Sequence, residues 1–200
     1  MLQDPARAPI VALLTLLLGV TVAFVAVEAI EYAYARIGVD SRWMFTLLAL
    51  SLMGGNVNLP LGRLGGDPSG TRLAVNLGGA LIPTGLSLYL LATHAPRGAA
   101  LAAVVIVALA VHRLARPIAG VGIAVPLFLP PLIAAATAVL LAPDTAPAVA
   151  YIGGTLGTLI GADLTNLRHL RACGGAVASI GGAGTFDGIF VTGILAVLLA

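Results

Sequence analysis

Between Arg7 and Glu28 the chain runs for twenty residues without a charge, "APIVALLTLLLGVTVAFVAV". A helix of that length rises about 30 Å, the thickness of the hydrocarbon core of a bilayer. Similar runs recur to the C-terminus, and they limit the possible folds more than any other feature. Only 9% of the residues are charged, against 60% hydrophobic, whereas soluble domains carry roughly 25% charged residues. There is too little polar surface here to coat a globule in water. In lipid the backbone groups must be paired within the segment, which leaves helices as the spanning elements.

The expected fold is therefore all-α: a polytopic integral membrane helix bundle, one domain over residues 1–200 with about seven spans. The candidate spans are 9–30, 43–60, 73–93, 98–114, 119–142, 147–167 and 175–200. No small-residue cleavage site follows the first run, so it reads as a retained span. The second, third, fifth, sixth and seventh runs contain glycine or proline, which implies kinked or broken helices.

All ten basic residues are arginines, and their placement predicts sidedness. Arg7, Arg63, Arg72, Arg113, Arg116, Arg168 and Arg171 fall on one side; Arg36, Arg42 and Arg97 fall on the other. This bias predicts a multi-pass protein of the cell (inner) membrane, with its N-terminus in the cytoplasm and its C-terminus outside. Membrane lipid is then an obligatory partner. The scattered arginines do not form the basic stripe of a nucleic-acid binder. The single Cys173 leaves the redox compartment open. No HExxH pair, nucleophile elbow or phosphate loop occurs, so neither a metal nor a cofactor is expected.

Three patches depart from plain spans: "MGGNVNLPLG", "AVNLGGALIPTGLSLYL" and "PIAGVGIAVPLFLPPL". Asn56, Asn58 and Asn76 bring amides to or near membrane depth, where an unpaired polar group costs several kcal/mol. They either bond between packed helices or line a water-filled break.

Two carboxylates stand out. Asp163, in "LIGADLTNL", and Asp187, in "GGAGTFDGIF", lie in apolar, glycine-rich surroundings. Asp4, Asp40, Asp67 and Asp144 fall in loops or tails, and Glu28 and Glu31 close the first span beside Tyr32 and Tyr34. If "GGAG" breaks the last span, a helix starts near Thr185 and Asp187 sits in its first turn, where the helix dipole favours an anion. Both aspartates then lie at similar depth near the cytoplasmic face.

Three functions compete for this pair. In the first, the two carboxylates share a proton and hydrolyse a transmembrane peptide, with Gly161, Gly182, Gly184 and Gly188 admitting its backbone. Asn56, Asn58, Asn76, Asn166 and Thr185 are the polar neighbours expected to bind substrate. In the second, the aspartates bind and release protons or sodium in a small-solute transporter. In the third, they only cap helices or pair with arginine in a scaffold of unknown oligomeric state.

The aspartate pair resembles that of the intramembrane aspartyl proteases of the presenilin and prepilin-peptidase type. Their Gly-x-Gly-Asp phrase is interrupted here, because Thr185 and Phe186 stand between Gly184 and Asp187. A broader likeness runs through "NLGGALIPTGLSLYLL", "RPIAGVGIAVPLFLPPLIAA", "YIGGTLGTLIGADLTNL" and "SIGGAGTFDGIFVTGILAVLL". Together these resemble the bacterial and archaeal membrane family called domain-of-unknown-function 1614, from about residue 50 onward. That resemblance implies a compact polytopic protein and carries no activity.

Overall fold

A computed structural model describes residues 8–63, 71–118, 122–170, 177–182 and 188–200. Helix α1 (Ala8–Arg36) leads into α2 (Ser41–Gly54), whose first turn is capped by Asp40 accepting from the Trp43 backbone N–H at 2.9 Å. Strands β1 (Asn58–Arg63) and β2 (Arg72–Asn76) follow, then a π-helical turn at Leu77–Leu81 and α3 (Ile82–Thr93). Helix α4 (Arg97–Leu114), strands β3 (Arg116–Ile118) and β4 (Gly122–Ala124) and helix α5 (Leu129–Leu141) come next. The chain continues through α6 (Ala146–Thr158), a second π-helical turn (Leu159–Asp163), a 3₁₀ turn (Leu164–Asn166) and the short α7 (Leu167–Leu170). It ends with β5 (Val177–Ile180) and α8 (Gly188–Leu199). Prolines in the first turns of α5 and α6 occupy positions where the missing N–H would have no helical partner, whereas Pro83 of α3 directly follows the π-helical turn and removes a donor from a continuous helix.

One pattern repeats three times. A helix leads into an extended excursion and a second helix leads out: α2–β1–β2–α3, α4–β3–β4–α5 and α6–β5–α8. Short turns connect α1 to α2, α3 to α4 and α5 to α6. All the strands therefore gather at one end of the bundle and the short turns at the other. At the turn end, Gly38 lies against His94, and the Arg36 guanidinium donates to the Val197 carbonyl at 2.9 Å, in the last turn of α8.

Helix α6 runs through the middle, packed by α3, α4, α5 and α8. Gly153 and Gly157 of α6, and Gly161 in the π-helical turn that continues it, face Ala103, Val107 and the Ala108–Val111 turn in order, so α4 and α6 run parallel in close contact. Gly154 meets Thr192 and Ala196 of α8, while Gly193 meets Tyr151 and Thr155. Small residues dominate the interior: Ala100, Ala103, Ala134, Ala138, Ala150 and Ala196 are fully buried. Large apolar side chains point outward, including Leu101, Val105, Leu109, Leu132 and Leu140. Helix α1 is exposed along residues 11–28 and meets the bundle mainly through its last turns, at Ala33 and Tyr34.

The fold is mostly helical, as expected, with two small sheets added. One has the order β1-β2-β5, β1 and β2 antiparallel and β2 and β5 parallel; the other is the β3–β4 hairpin. Residues 58–60, 73–76, 122–124 and 177–180 were expected inside spans but are strands. The physical reason is local. Pro60 removes a helical donor, and Gly62 at φ +146° marks a bulge opposite Leu73. Gly122 at φ +117° and Gly181 at +81° likewise take backbone angles that no helix uses. Helix α2 accordingly stops at Gly54, and the last helix is described from Gly188.

Candidate functional site

The site is built where the two π-helical turns converge. In an α-helix each carbonyl accepts from a residue four ahead, and a π turn breaks that ladder. After the Leu159–Asp163 turn, Asn166 repairs the break from its side chain. Its Nδ2 donates to the Gly161 carbonyl at 2.9 Å and the Ala162 carbonyl at 3.0 Å. The Thr165 hydroxyl also donates to Gly161 O, at 2.8 Å. That hydroxyl has one proton, so its 2.9 Å contact with His112 Nδ1 requires the imidazole to donate. Asn166 and Thr165 thus hold the distorted turn that carries Asp163.

The Leu77–Leu81 turn is fixed by the same chemistry at its other end. Asn76 is completely buried and accepts from the Gly79 N–H at 2.7 Å, capping the turn. Its Nδ2 donates to the Gly55 carbonyl at 2.6 Å and to Asn58 Oδ1 at 3.2 Å. Asn58 Oδ1 also accepts from the Ser179 hydroxyl at 2.5 Å. One side-chain oxygen therefore links β2 to β5 on the face of the sheet, and Asn58 lies directly opposite Asn76 in the β1–β2 register.

Beyond β5 the backbone turns through two consecutive positive-φ glycines, Gly181 at +81° and Gly182 at +74°. The Gly181 N–H donates to Asp163 Oδ2 at 2.7 Å. The α-carbon of Gly181 rests on the Gly79–Ala80 backbone, where a Cβ would stand 2.5 Å from the Ala80 Cβ. Asp163 is thereby oriented by the turn that ends β5.

Asp163 is half-buried and lines a cavity of about 280 Å³. Thr158, Thr192 and Gly188 share its wall, with Pro126, Pro130 and Ile189 among the apolar lining. The Thr158 hydroxyl is buried and has no hydrogen-bond partner among the described residues. The arrangement places one carboxylate and two hydroxyl-bearing side chains in a small, largely apolar space. It can hold water, a proton or a cation against Asp163, or receive part of a peptide backbone.

Of the site residues expected from the sequence, Asp163, Gly161, Gly182, Gly188, Asn58, Asn76 and Asn166 all belong to the strand-bearing end. Asn166, Asn58 and Asn76 serve the turns and sheet around the cavity. Asn56 is exposed in the turn after α2. Asp187, Gly184 and Thr185 lie outside the described residues; Gly188, the next residue after Asp187, lines the cavity. Sequence reasoning missed Thr158, Thr192, Ser179 and Gly181. Threonines in apolar helices carry no distinguishing signal, and the glycine run from Gly181 reads from sequence only as a break before the last helix. Among the described residues no group of His, Cys, Asp and Glu is spaced to hold a metal ion.

No curated protein and no solved structure matches the chain. One family does: that described as "Protein of unknown function (DUF1614)" matches residues 49–199, from the middle of α2 to the end of α8, and the chain belongs to that family.

Proposed function

We propose that this is a multi-pass membrane protein whose strand-bearing end is cytoplasmic and holds an aspartyl peptidase site. The membrane reading rests on three observations. Residues 11–36 and 97–114 form helices long and apolar enough to cross a bilayer, with mean hydropathies of 2.4 and 1.7. Glycine and alanine form much of the interior, beside valines such as Val107 and Val149, while most leucines face out, a composition usual for helix contacts in lipid. Arg63, Arg72, Arg113, Arg116 and Arg168 lie at the strand-bearing end, which the arginine bias assigns to the cytoplasm. Seven passes follow if α1 to α6 and α8 each cross.

The peptidase reading is carried by the hydrogen bond from Gly181 to Asp163. Strand β5 pairs with β2 on one side and is an edge strand among the described residues. An extended peptide adding to that edge would gain main-chain hydrogen bonds and run toward the Asp163 carboxylate. Asp163 then takes a proton from a water whose oxygen attacks the scissile carbonyl. Asp187 supplies the proton for the carbonyl oxygen, and the amine leaves with a proton returned by the pair. The test is cleavage of fluorogenic transmembrane peptides by reconstituted protein. Asp163→Asn and Asp187→Asn should each lower the rate by about 10²-fold or more. Because the amide introduced by Asp163→Asn keeps an oxygen for the Gly181 N–H, undiminished cleavage in that variant would overturn the reading.

One observation favours a second reading. Thr158, whose buried hydroxyl is unpartnered among the described residues, lines the same cavity as Asp163 beside a broken helix, which suits a proton- or sodium-coupled transporter. That reading requires sodium- or pH-dependent solute uptake lost on Asp163→Asn, with no peptide cleaved.

A further inference from the structure

A second groove, of about 350 Å³, opens where α4 meets the β3–β4 hairpin. Arg113 and Arg116 stand in its lining with Leu114, Ile118, Val125 and Pro126. Both arginines are exposed, and neither has a hydrogen-bonding or ionic partner among the described residues. Arg36, by contrast, is spent on the Val197 carbonyl. Two unpaired guanidiniums beside an apolar floor match an amphiphile with an anionic head and a hydrocarbon tail. We propose that this groove binds an anionic phospholipid, its phosphate between Arg113 and Arg116 and an acyl chain along Leu114, Ile118 and Val125. Charge complementarity selects that occupant, since basic pockets at the cytoplasmic ends of membrane helices meet a leaflet rich in anionic lipid. The groove shares Ala124, Val125 and Pro126 with the Asp163 cavity, so a seated lipid braces one wall of the candidate site. The inference rests on the membrane reading and is independent of the peptidase chemistry.

The test is native mass spectrometry of the full chain in detergent, titrated with dioctanoyl phosphatidylglycerol or dioctanoyl phosphatidylcholine. The anionic lipid should bind more tightly, by about fivefold for each arginine engaged. R113Q/R116Q should erase the preference, R113K/R116K should retain most of it, and R168Q, at the same end but outside the groove, should leave it unchanged. Equal binding of the two lipids by the wild-type chain overturns the proposal. So does an equal loss in R168Q, which would mean diffuse charge attraction. Displacement of the lipid by millimolar inorganic phosphate overturns the lipid assignment in favour of a phosphate site. Sedimentation of the chain with membranes in the absence of detergent reports the membrane reading separately.

Discussion

The Gly181 N–H holds Asp163 Oδ2 at 2.7 Å while the α-carbon of Gly181 presses on the Gly79–Ala80 backbone. One residue thus joins the two π-helical turns, one as a hydrogen-bond donor and the other as a surface without a side chain. The N–H is common to every residue but proline, while the close approach and the φ of +81° that aims that N–H call for glycine.

Gly181→Ala should therefore be the most damaging small substitution at the site. The residue has φ +81°, where a Cβ costs about 1–2 kcal/mol, and the added methyl would meet Ala80 Cβ at 2.5 Å and Ala80 N at 2.7 Å. A fall in thermal midpoint of several degrees is expected, together with loss of whatever activity Asp163 supports. Gly85→Ala is the matched control: it lies in helix α3 with nothing within 4 Å of an added Cβ, and should be neutral or slightly stabilising. Equal midpoints for the two variants would show that Gly181 does not pin the turns.

The glycine ladder along α6 and the π-helical turn that continues it makes a graded prediction. A Cβ on Gly153 would stand 2.9 Å from the Ala103 Cβ, and on Gly157 it would stand 2.6 Å from the Val107 Cβ. On Gly161 it would drive into the Ala108 carbonyl oxygen. A side chain can yield where backbone cannot, so destabilisation should rise from Gly153→Ala to Gly161→Ala, within about 1–3 kcal/mol each. Detergent unfolding of the three variants checks the order.

Much of this was legible in the sequence. Long uncharged runs predict helices, and 97–114 and 8–36 confirm them because nothing inside either run competes with the helix. A break at the glycine run from Gly181 was legible too, and the backbone does turn at Gly181–Gly182. The strands were not. Val177–Ile180 is four residues long and apolar, and a run that short reads equally as helix or strand. Its state is decided by pairing with β2, more than a hundred residues upstream, and by the Ser179–Asn58 bond. The asparagines were legible as polar groups in an apolar setting, but not as caps. Only the folded backbone reveals which carbonyls the π turns leave over for Asn166 to satisfy.

Asn76 and Asn58 offer a contrast between a buried amide and an exposed one. Asn76→Ala removes a cap and two donated bonds from a fully buried position, leaving the Gly79 N–H and the Gly55 carbonyl without that partner. A loss of about 2–3 kcal/mol is expected. Asn58→Ala strips a bond from Asn76 and one from Ser179, but water reaches position 58, so about 1 kcal/mol is expected. The double variant should lose less than the sum, because the two share one bond. Strict additivity in chemical unfolding would mean the Asn76–Asn58 contact contributes nothing.

Thr158 separates folding from function more cleanly than Asp163 does. Its hydroxyl is buried without a partner among the described residues, so Thr158→Val keeps the shape and removes an unsatisfied polar group. For a residue with only a packing role, stability should hold or rise by up to about 1 kcal/mol and activity should be unchanged. The cavity position beside Asp163 argues for the other result: stability holds or rises while peptide cleavage, or sodium- or pH-dependent uptake, falls by tenfold or more, about 1.4 kcal/mol of transition-state or ligand binding. Thr158→Ser, which restores the hydroxyl, should recover most of the activity. A stable Thr158→Val variant with full activity would remove Thr158 from the site and leave Asp163 to work without it.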